Sequence, residues 1–464
     1  MPRDGLDLAS PRSIHIVGIG GAGMSAIATV LRQQGHTVSG TDLKESHVLD
    51  RLRADGVNAR VGHDAANLPE SLDAVVISTA VREDNPEVVG ARTRGMPVLR
   101  RAEALAAIAA QRQTLAVAGS HGKTTTSSML ALMLREAELH PSFIIGGDVN
   151  EVGTNAAWDR GDFMVVEADE SDGTFLELAP FGAIVTNVEA DHLDHYGGFD
   201  ALRGSFRTFV EGVAGPRVVC IDDPEAARLA QEVSTTTYGF ADGADVQIVD
   251  YSGARGASTF TLRSATTTIG PVTLPSPGRH NASNAAAAAA LALAVGAAPV
   301  GIERAIARFG GVARRFQFRG EVDGVTLVDD YAHLPSEVAA AIAAALEGAW
   351  NRVLVVYQPH RYTRTASLWR EFADSFEGAD QLVLTDIFAA GETPQPGVSG
   401  RLVVQAVLDA HPATRVTWVP HRAEVLGVVR RIARPGDLVL TLGAGDLTSL
   451  PDEWLAVRGL EAES

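Results

Sequence analysis

The chain is nearly without cysteine. Cys220 is the only one among 464 residues, so no internal disulfide can form and a reduced compartment is expected. Long apolar runs are missing too, and nothing approaches the roughly 18 residues that a membrane-spanning helix needs. Residues 1–13 lack the apolar segment of a secretory leader, so the expected location is the cytoplasm. Basic residues are outnumbered, 39 against 57 acidic ones, and the net charge is −18. That balance argues against general nucleic-acid binding and against adhesion to acidic membranes, while leaving room for a local basic pocket. There is no Pro/Gly/Ser-rich linker and no short repeat.

What is present is ample apolar content, 46%, over a length that calls for two or three domains. Short β-like runs alternate with longer amphipathic segments, the pattern of doubly wound α/β sheets. The pattern restarts near Thr114 and again near Gly320. These restarts predict three domains, 1–112, 113–316 and 317–464. Between Thr235 and Leu274 the chain turns Thr-rich with alternating apolar residues, which predicts antiparallel strands added to the central domain. An alanine-rich stretch from Asn281 predicts a buried helix.

Two glycine-rich turns follow strand-like runs. The first is Gly18-x-Gly20-x-x-Gly23, with Asp42 placed 19 residues later at the end of "TVSGTD". This spacing suits a dinucleotide fingerprint with Asp42 on a ribose hydroxyl, although a turn that merely packs helix on strand looks the same. The second turn, Gly119-Ser120-His121-Gly122-Lys123-Thr124, ends like a phosphate loop but has Val117 where the strict pattern has glycine. Backbone donors, a helix N-terminus, the Lys123 ammonium and the Thr124 hydroxyl still suit a triphosphate and magnesium.

Acidic clusters follow the next two strands. "VVEADESD" carries Glu167, Asp169, Glu170 and Asp172, and "TNVEADHLDHY" carries Asn187, Glu189, Asp191, His192, Asp194 and His195. Hard oxygen donors at strand ends beside a triphosphate suit magnesium; solvated acidic loops are the alternative, above all for Asp172 and Asp194. In the last third, "VDDYAHLP" and "YQPHRYTRT" supply Asp330, Tyr331, His333, His360, Arg361 and Arg364, a set able to hold a carboxylate or to form a salt-bridged loop. Asn281 and Asn284 either cap the alanine-rich helix or face a base. Arg314 and Arg315 lie at the expected domain junction.

In family order, "GIGGAGMS", "GSHGKTTT", "EADESDGTF", "TNVEADHLDHY", "HNASNAAAA", "GVARRFQ", "DDYAHLP" and "QPHRYTRT" resemble the motifs of the Mur ligase family. The resemblance runs from residue 18 to residue 364. His121 is similar to the residue of the alanine-adding branch, where other branches carry asparagine. One departure is Leu334, where that branch usually has a second histidine.

The resemblance implies a Rossmann-like UDP-sugar-binding domain, a P-loop ATPase-like domain and a Rossmann-like amino-acid-binding domain. It implies ATP as co-substrate, UDP-N-acetylmuramate and L-alanine as partners, magnesium as two ions, no NAD, and a monomer or homodimer. Catalytic roles fall to Lys123, His121, His192 and Glu167, with Thr124, Glu167 and His192 on metal. ATP contacts fall to Gly119, Ser120, Gly122, Lys123, Thr124, Thr125, Asn281, Asn284, Arg314 and Asp330. The UDP-sugar contacts are Gly18, Gly20, Gly21, Gly23, Met24, Asp42, Ser78 and Thr79, and the amino-acid contacts are Tyr331, His333, Arg361 and Arg364. An NAD-dependent oxidoreductase would leave the second loop unexplained, and a simple NTPase would leave the first. Within the family, the rival is a ligase that recycles murein tripeptide onto the same sugar.

Overall fold

Three α/β sheets account for the three restarts. The computed structural model describes residues 6–463, apart from positions 79, 172 and 192. Thr79, Asp172 and His192, singled out above, therefore lie outside the described residues.

The first sheet is parallel throughout, in the order Asn58–Val61, Thr37–Asp42, Ser13–Val17, Ala74–Ile77, Val98–Arg100. Its strand order reverses beside Ser13–Val17. Turns after Ser13–Val17 and Ala74–Ile77 thus flank the crevice where such sheets hold ligands.

The second sheet has ten strands and is mixed. Gln113–Ala118 lies between Gly182–Val185 and Phe163–Glu167, parallel to both, so the turns after all three strands meet at one edge. Ser142–Val149 and Thr154–Ala157 pair antiparallel at its end. The Thr-rich segment departs in part from expectation. Its first strand, Thr236–Gly239, runs parallel to Arg217–Cys220 and to Val246–Ala254. Alternation of apolar residues reports a half-buried strand and is silent on strand direction.

The third sheet has six strands, in the order Gln317–Val322, Val325–Asp330, Leu438–Leu442, Val353–Tyr357, Gln381–Leu384, Val416–Trp418. The first pair is antiparallel and the rest are parallel. Val353–Tyr357 and Leu438–Leu442 are buried along their whole length, which is why they read as continuous apolar runs.

By compactness the chain forms two units. One contains Met1–Val249, Thr261–Gly270 and Ser283–Arg308; the other contains Asp250–Phe260, Pro271–Ala282 and Phe309–Ser464. Within the first, helix Ala22–Gln33 packs on Ser142–Val149 and Thr154–Ala157. The Gln33 side-chain oxygen accepts from the Trp158 amide at 2.6 Å, and the Arg112 guanidinium lies 4.4 Å over the Trp158 ring. Within the second, the Tyr251 hydroxyl donates to the Glu347 carboxylate at 2.8 Å, the Gly278 amide donates to it at 3.1 Å, and Arg255 stacks 3.7 Å over Trp350. Those contacts draw residues 250–260 and 271–282 into the second unit.

Candidate active site

The first glycine turn is held open by its own backbone. Gly18 has φ +78°, and the amides of Gly18 and Ile19 both donate to the Thr41 carbonyl, at 2.8 and 2.9 Å. The Gly20 amide donates to Asp42 Oδ2 at 2.9 Å, so Asp42 braces the turn. A Cβ on Gly20 would lie 2.8 Å from that oxygen and 2.9 Å from Leu49. Gly21 precedes helix Ala22–Gln33 without any side-chain cap, leaving backbone donors at a helix N-terminus, the arrangement that suits an anion. Ser78, after the neighbouring strand, comes 3.4 Å from the Cβ position of Gly18. Met24 faces the core instead and is 2% exposed. A buried carboxylate supports the turn from below. Glu87 accepts from the Thr41 hydroxyl at 2.6 Å and from Asn67 at 3.1 Å. Burial opposes its ionisation, but the His15 ring 3.7 Å away and the hydrogen bonds from Thr41 and Asn67 outweigh that and hold it down at about 2.

The second turn is clamped by the loop after Gly182–Val185. Thr186 Oγ1 donates to the His121 carbonyl at 2.6 Å, Asn187 Oδ1 accepts from the His121 amide at 2.7 Å, and Ser120 Oγ accepts from the Glu189 amide at 2.8 Å. Gly119 has φ +135°, and a Cβ there would collide with Thr186 at 2.0 Å. His121 Nε2 is 3.1 Å from Glu189. Lys123 begins helix Lys123–Glu136, whose residues Thr125–Leu134 are all buried. Its Nζ donates to the Gly119 carbonyl at 2.6 Å and to both carboxylate oxygens of Glu170, at 2.9 and 2.8 Å. Burial alone would lower the Lys123 ammonium, but Glu170, with Asp169 and Glu167 nearby, holds it charged and above its ordinary value.

Glu167 ends its strand directly beside Val117 and accepts from the Gly146 amide at 2.6 Å. Thr124 sits in the first turn of the helix after the loop. A hydroxyl and a carboxylate, both hard oxygen donors at the edge of a phosphate loop, fit magnesium. Arg101 links the first turn to the acidic loop after Phe163–Glu167. Its Nη1 is 2.8 Å from the Cβ position of Gly23, and its guanidinium is 3.8 Å from Asp169. A small cavity of about 90 Å³ opens there, lined by Gly23, Arg101, Ile145, Glu167, Asp169 and Phe175 among others.

Asn284 and Asn281 are not helix caps. The helix runs Arg279–Ala294, so both lie inside it. Asn284 Oδ1 accepts from the Thr126 hydroxyl at 3.2 Å and lies 2.5 Å from the Cβ position of Gly122. The Asn281 amide turns back on its own chain, donating to Ser276 Oγ at 2.9 Å and the Pro277 carbonyl at 2.8 Å.

In the second compact unit, Tyr331, His333, His360 and Arg364 converge. The Tyr331 and His333 rings are 5.2 Å apart, His333 and His360 are 5.8 Å apart, and His360 Nδ1 is 3.2 Å from Arg364. Burial, with His333, Arg364 and Arg361 around it, drives His360 down to about 4. Burial, aided by Arg364 and opposed by Glu337, also lowers His333. The imidazoles are therefore neutral at neutral pH, and positive charge comes from the two guanidiniums, which suits a carboxylate. Arg361 enters helix Tyr362–Leu368 at φ +68°. Leu334 is a buried apolar residue, 5% exposed, just before helix Pro335–Leu346.

Asp330 and Arg314 serve local structure. Asp330 accepts from the amides of Phe316 at 2.6 Å and Ala332 at 2.7 Å, and burial pushes it up to about 6 although Arg315 opposes this. Arg314 donates to the Gly443 carbonyl at 2.9 Å, and Arg314 and Arg315 lie 4.8 and 4.9 Å over the Tyr331 ring.

Sequence reasoning missed Thr186 and Arg101 and gave Glu170 no role of its own. Glu170 was visible as one acid in a cluster. Thr186 heads the quoted "TNVEADHLDHY" without a role assigned to it, and Arg101 carries no local signal, because its partner Asp169 is 68 residues away.

Three family models match in order: "Mur ligase family, catalytic domain" over residues 13–113, "Mur ligase middle domain" over 117–292, and "Mur ligase, glutamate ligase domain" over 314–445. A UDP-N-acetylmuramate–L-alanine ligase of Bradyrhizobium sp. (strain BTAi1) is 48% identical, over 96% of this chain and 98% of its own. Another, of Saccharopolyspora erythraea, is 47% identical over 96% of this chain and 92% of its own. Among solved structures, the UDP-N-acetylmuramate-alanine ligase of Thermotoga maritima superposes with TM-score 0.80 at 27% identity, covering 97% of this chain and all of its own, 100%. A murein peptide ligase of Psychrobacter arcticus shares the fold, with TM-score 0.68 at 23% identity over 97% of this chain and 99% of its own.

Proposed function

The chain belongs to the Mur ligase family, and we infer that it is an ATP-dependent amide ligase joining L-alanine to the lactyl carboxylate of UDP-N-acetylmuramate, a step of peptidoglycan precursor synthesis. The observation that carries this reading is the presence of two phosphate-suited turns in one compact unit, with Arg101 set between Gly23 of the first and the Asp169 carboxylate of the loop after Phe163–Glu167. The first turn takes the diphosphate of the UDP-sugar. The second takes ATP.

A carboxylate is a poor acylating agent, so ATP converts one of its oxygens into a leaving group. The lactyl oxygen attacks the γ-phosphorus and ADP departs, giving an acyl phosphate. The amine of L-alanine adds to the acyl carbon, loses a proton, and the tetrahedral intermediate expels phosphate to leave the amide. Lys123 holds the β- and γ-phosphates and His121 adds a polar contact at the same place. Thr124 and Glu167, with His192 by family correspondence, would hold magnesium. When bound, it supplies positive charge against the phosphoryl oxygens. Asn284, at the phosphate loop, belongs to the nucleotide side. Tyr331, His333, Arg361 and Arg364 receive the amino acid, the guanidiniums on its carboxylate. The domain limits 1–112, 113–316 and 317–464, a cytoplasmic location and a monomer or homodimer belong to the same proposal.

The test is phosphate release with ATP, UDP-N-acetylmuramate and L-alanine. Turnover needing all three supports the reading, and equal turnover without the amino acid contradicts it.

A further inference from the structure

The Lys123 ammonium has three N–H donors, and the protein itself uses them all. They meet the Gly119 carbonyl at 2.6 Å and the two Glu170 oxygens at 2.9 and 2.8 Å, with the Ser120 carbonyl a longer fourth acceptor at 3.4 Å. The Glu170 side chain is 4% exposed, so this is a buried ion pair rather than a surface one. Among the described residues, Lys123 is the one cation in contact with the Glu170 carboxylate.

A phosphate that takes up Lys123 must displace that carboxylate. Glu170 would then be a buried anion without its partner, beside the added negative charge of the phosphates and close to Asp169 and Glu167. Such an arrangement is unfavourable unless new positive charge arrives with the ligand. A polyphosphate carrying its own divalent cation meets that condition, and a metal-free one does not. The backbone donors of the loop do not distinguish the two.

We propose that Glu170 is a charge latch on the phosphate loop: it keeps Lys123 engaged and makes the loop select metal-bound nucleotide over metal-free nucleotide. This rests on the loop being the ATP site. Glu170 acts through Lys123 and is a positioning residue. A purely structural ion pair predicts no change in the test below, and a carboxylate whose main work is to hold metal predicts the opposite sign.

The test is calorimetric titration of ATP into the parent protein and Glu170→Gln, once with excess chelator and once with magnesium, with UDP-N-acetylmuramate affinity as the check on folding. The variant should bind metal-free ATP about tenfold or more tighter than the parent, a change of about 1.4 kcal/mol. Affinity for magnesium-bound ATP should change less, so the metal dependence shrinks. Metal-free binding that is unchanged or weaker, with UDP-sugar affinity intact, overturns the latch. Should Glu170→Gln fail the folding check, Glu170→Asp keeps the charge on a shorter arm and should show a smaller shift of the same sign; no shift there overturns the proposal equally. If the parent binds no ATP even with magnesium, the ATP-loop reading fails and the latch with it.

Discussion

A Cβ on Gly122 would lie 2.5 Å from Oδ1 of Asn284, and Gly122 itself has φ +80°. Two constraints thus meet at one glycine: a left-handed backbone and the approach of an amide from a helix more than 150 residues on, which itself bonds Thr126. Gly122→Ala should therefore cost both the strain of an alanine at positive φ, about 1–2 kcal/mol, and the displacement of Asn284. ATP binding should fall steeply while UDP-sugar binding holds. Adding Asn284→Gly should return only the steric part, which titration of the single and double variants would show.

Lys123→Ala should reduce kcat by about a hundredfold or more, the scale expected for losing a charge aimed at a transferring phosphoryl group. It should also destabilise the fold, because Glu170 stays buried without its partner; breaking such a pair costs about 3–5 kcal/mol. The double variant Lys123→Ala, Glu170→Gln should regain stability and stay inactive. Thermal melts and single-turnover kinetics on the three proteins separate the two effects, and a double variant as unstable as the single one would contradict them.

Gly20→Val should raise the KM for the UDP-sugar and spare ATP. The branched side chain would meet Asp42 at 2.8 Å and Leu49 at 2.9 Å, so the turn must open. A fall in ATP affinity with sugar affinity intact would reverse the assignment of the two loops.

Much of this was legible in the sequence because it is local. Gly119 to Thr124 spells a phosphate loop, and each restart of the βα pattern became a sheet of its own. What escaped detection depends on partners that the local pattern does not name. Asn281 and Asn284, four-letter neighbours of a helix start, look like caps, yet the helix begins two residues before Asn281 and only Asn284 reaches the loop. Asp330 reads as a polar site residue, but both its oxygens hold backbone amides of the 316–332 turn. Thr236–Gly239 reads as a strand, and its parallel direction is set by its neighbour Arg217–Cys220. Glu170 is one acid among several until Lys123 is seen to hold both its oxygens.

His360 gives a pH test. Its folded value of about 4 lies below the roughly 6.5 of an unfolded histidine. Between those values the unfolded chain takes up a proton that the folded one refuses, so this group's contribution to stability is lost as pH falls through that window. His360→Asn should thus lose less Tm than the parent on going from about pH 7.5 to about pH 5. Equal losses would contradict the assignment.

Arg364→Ala should raise the KM for L-alanine and leave the KM values for ATP and UDP-sugar nearly unchanged. With His333 and His360 neutral, the guanidiniums carry the charge that meets the amino-acid carboxylate, and losing one in a dry pocket costs about 2–5 kcal/mol. A variant with an unchanged KM for alanine would move the amino-acid site elsewhere.

The central claim is that ATP activates the lactyl carboxylate as an acyl phosphate before L-alanine attacks. The direct measurement uses UDP-N-acetylmuramate with both lactyl carboxylate oxygens labelled as oxygen-18, ATP and L-alanine, with mass analysis of both products. The account predicts one label in the released phosphate and the other in the new amide carbonyl. Unlabelled phosphate alongside amide formation would contradict it.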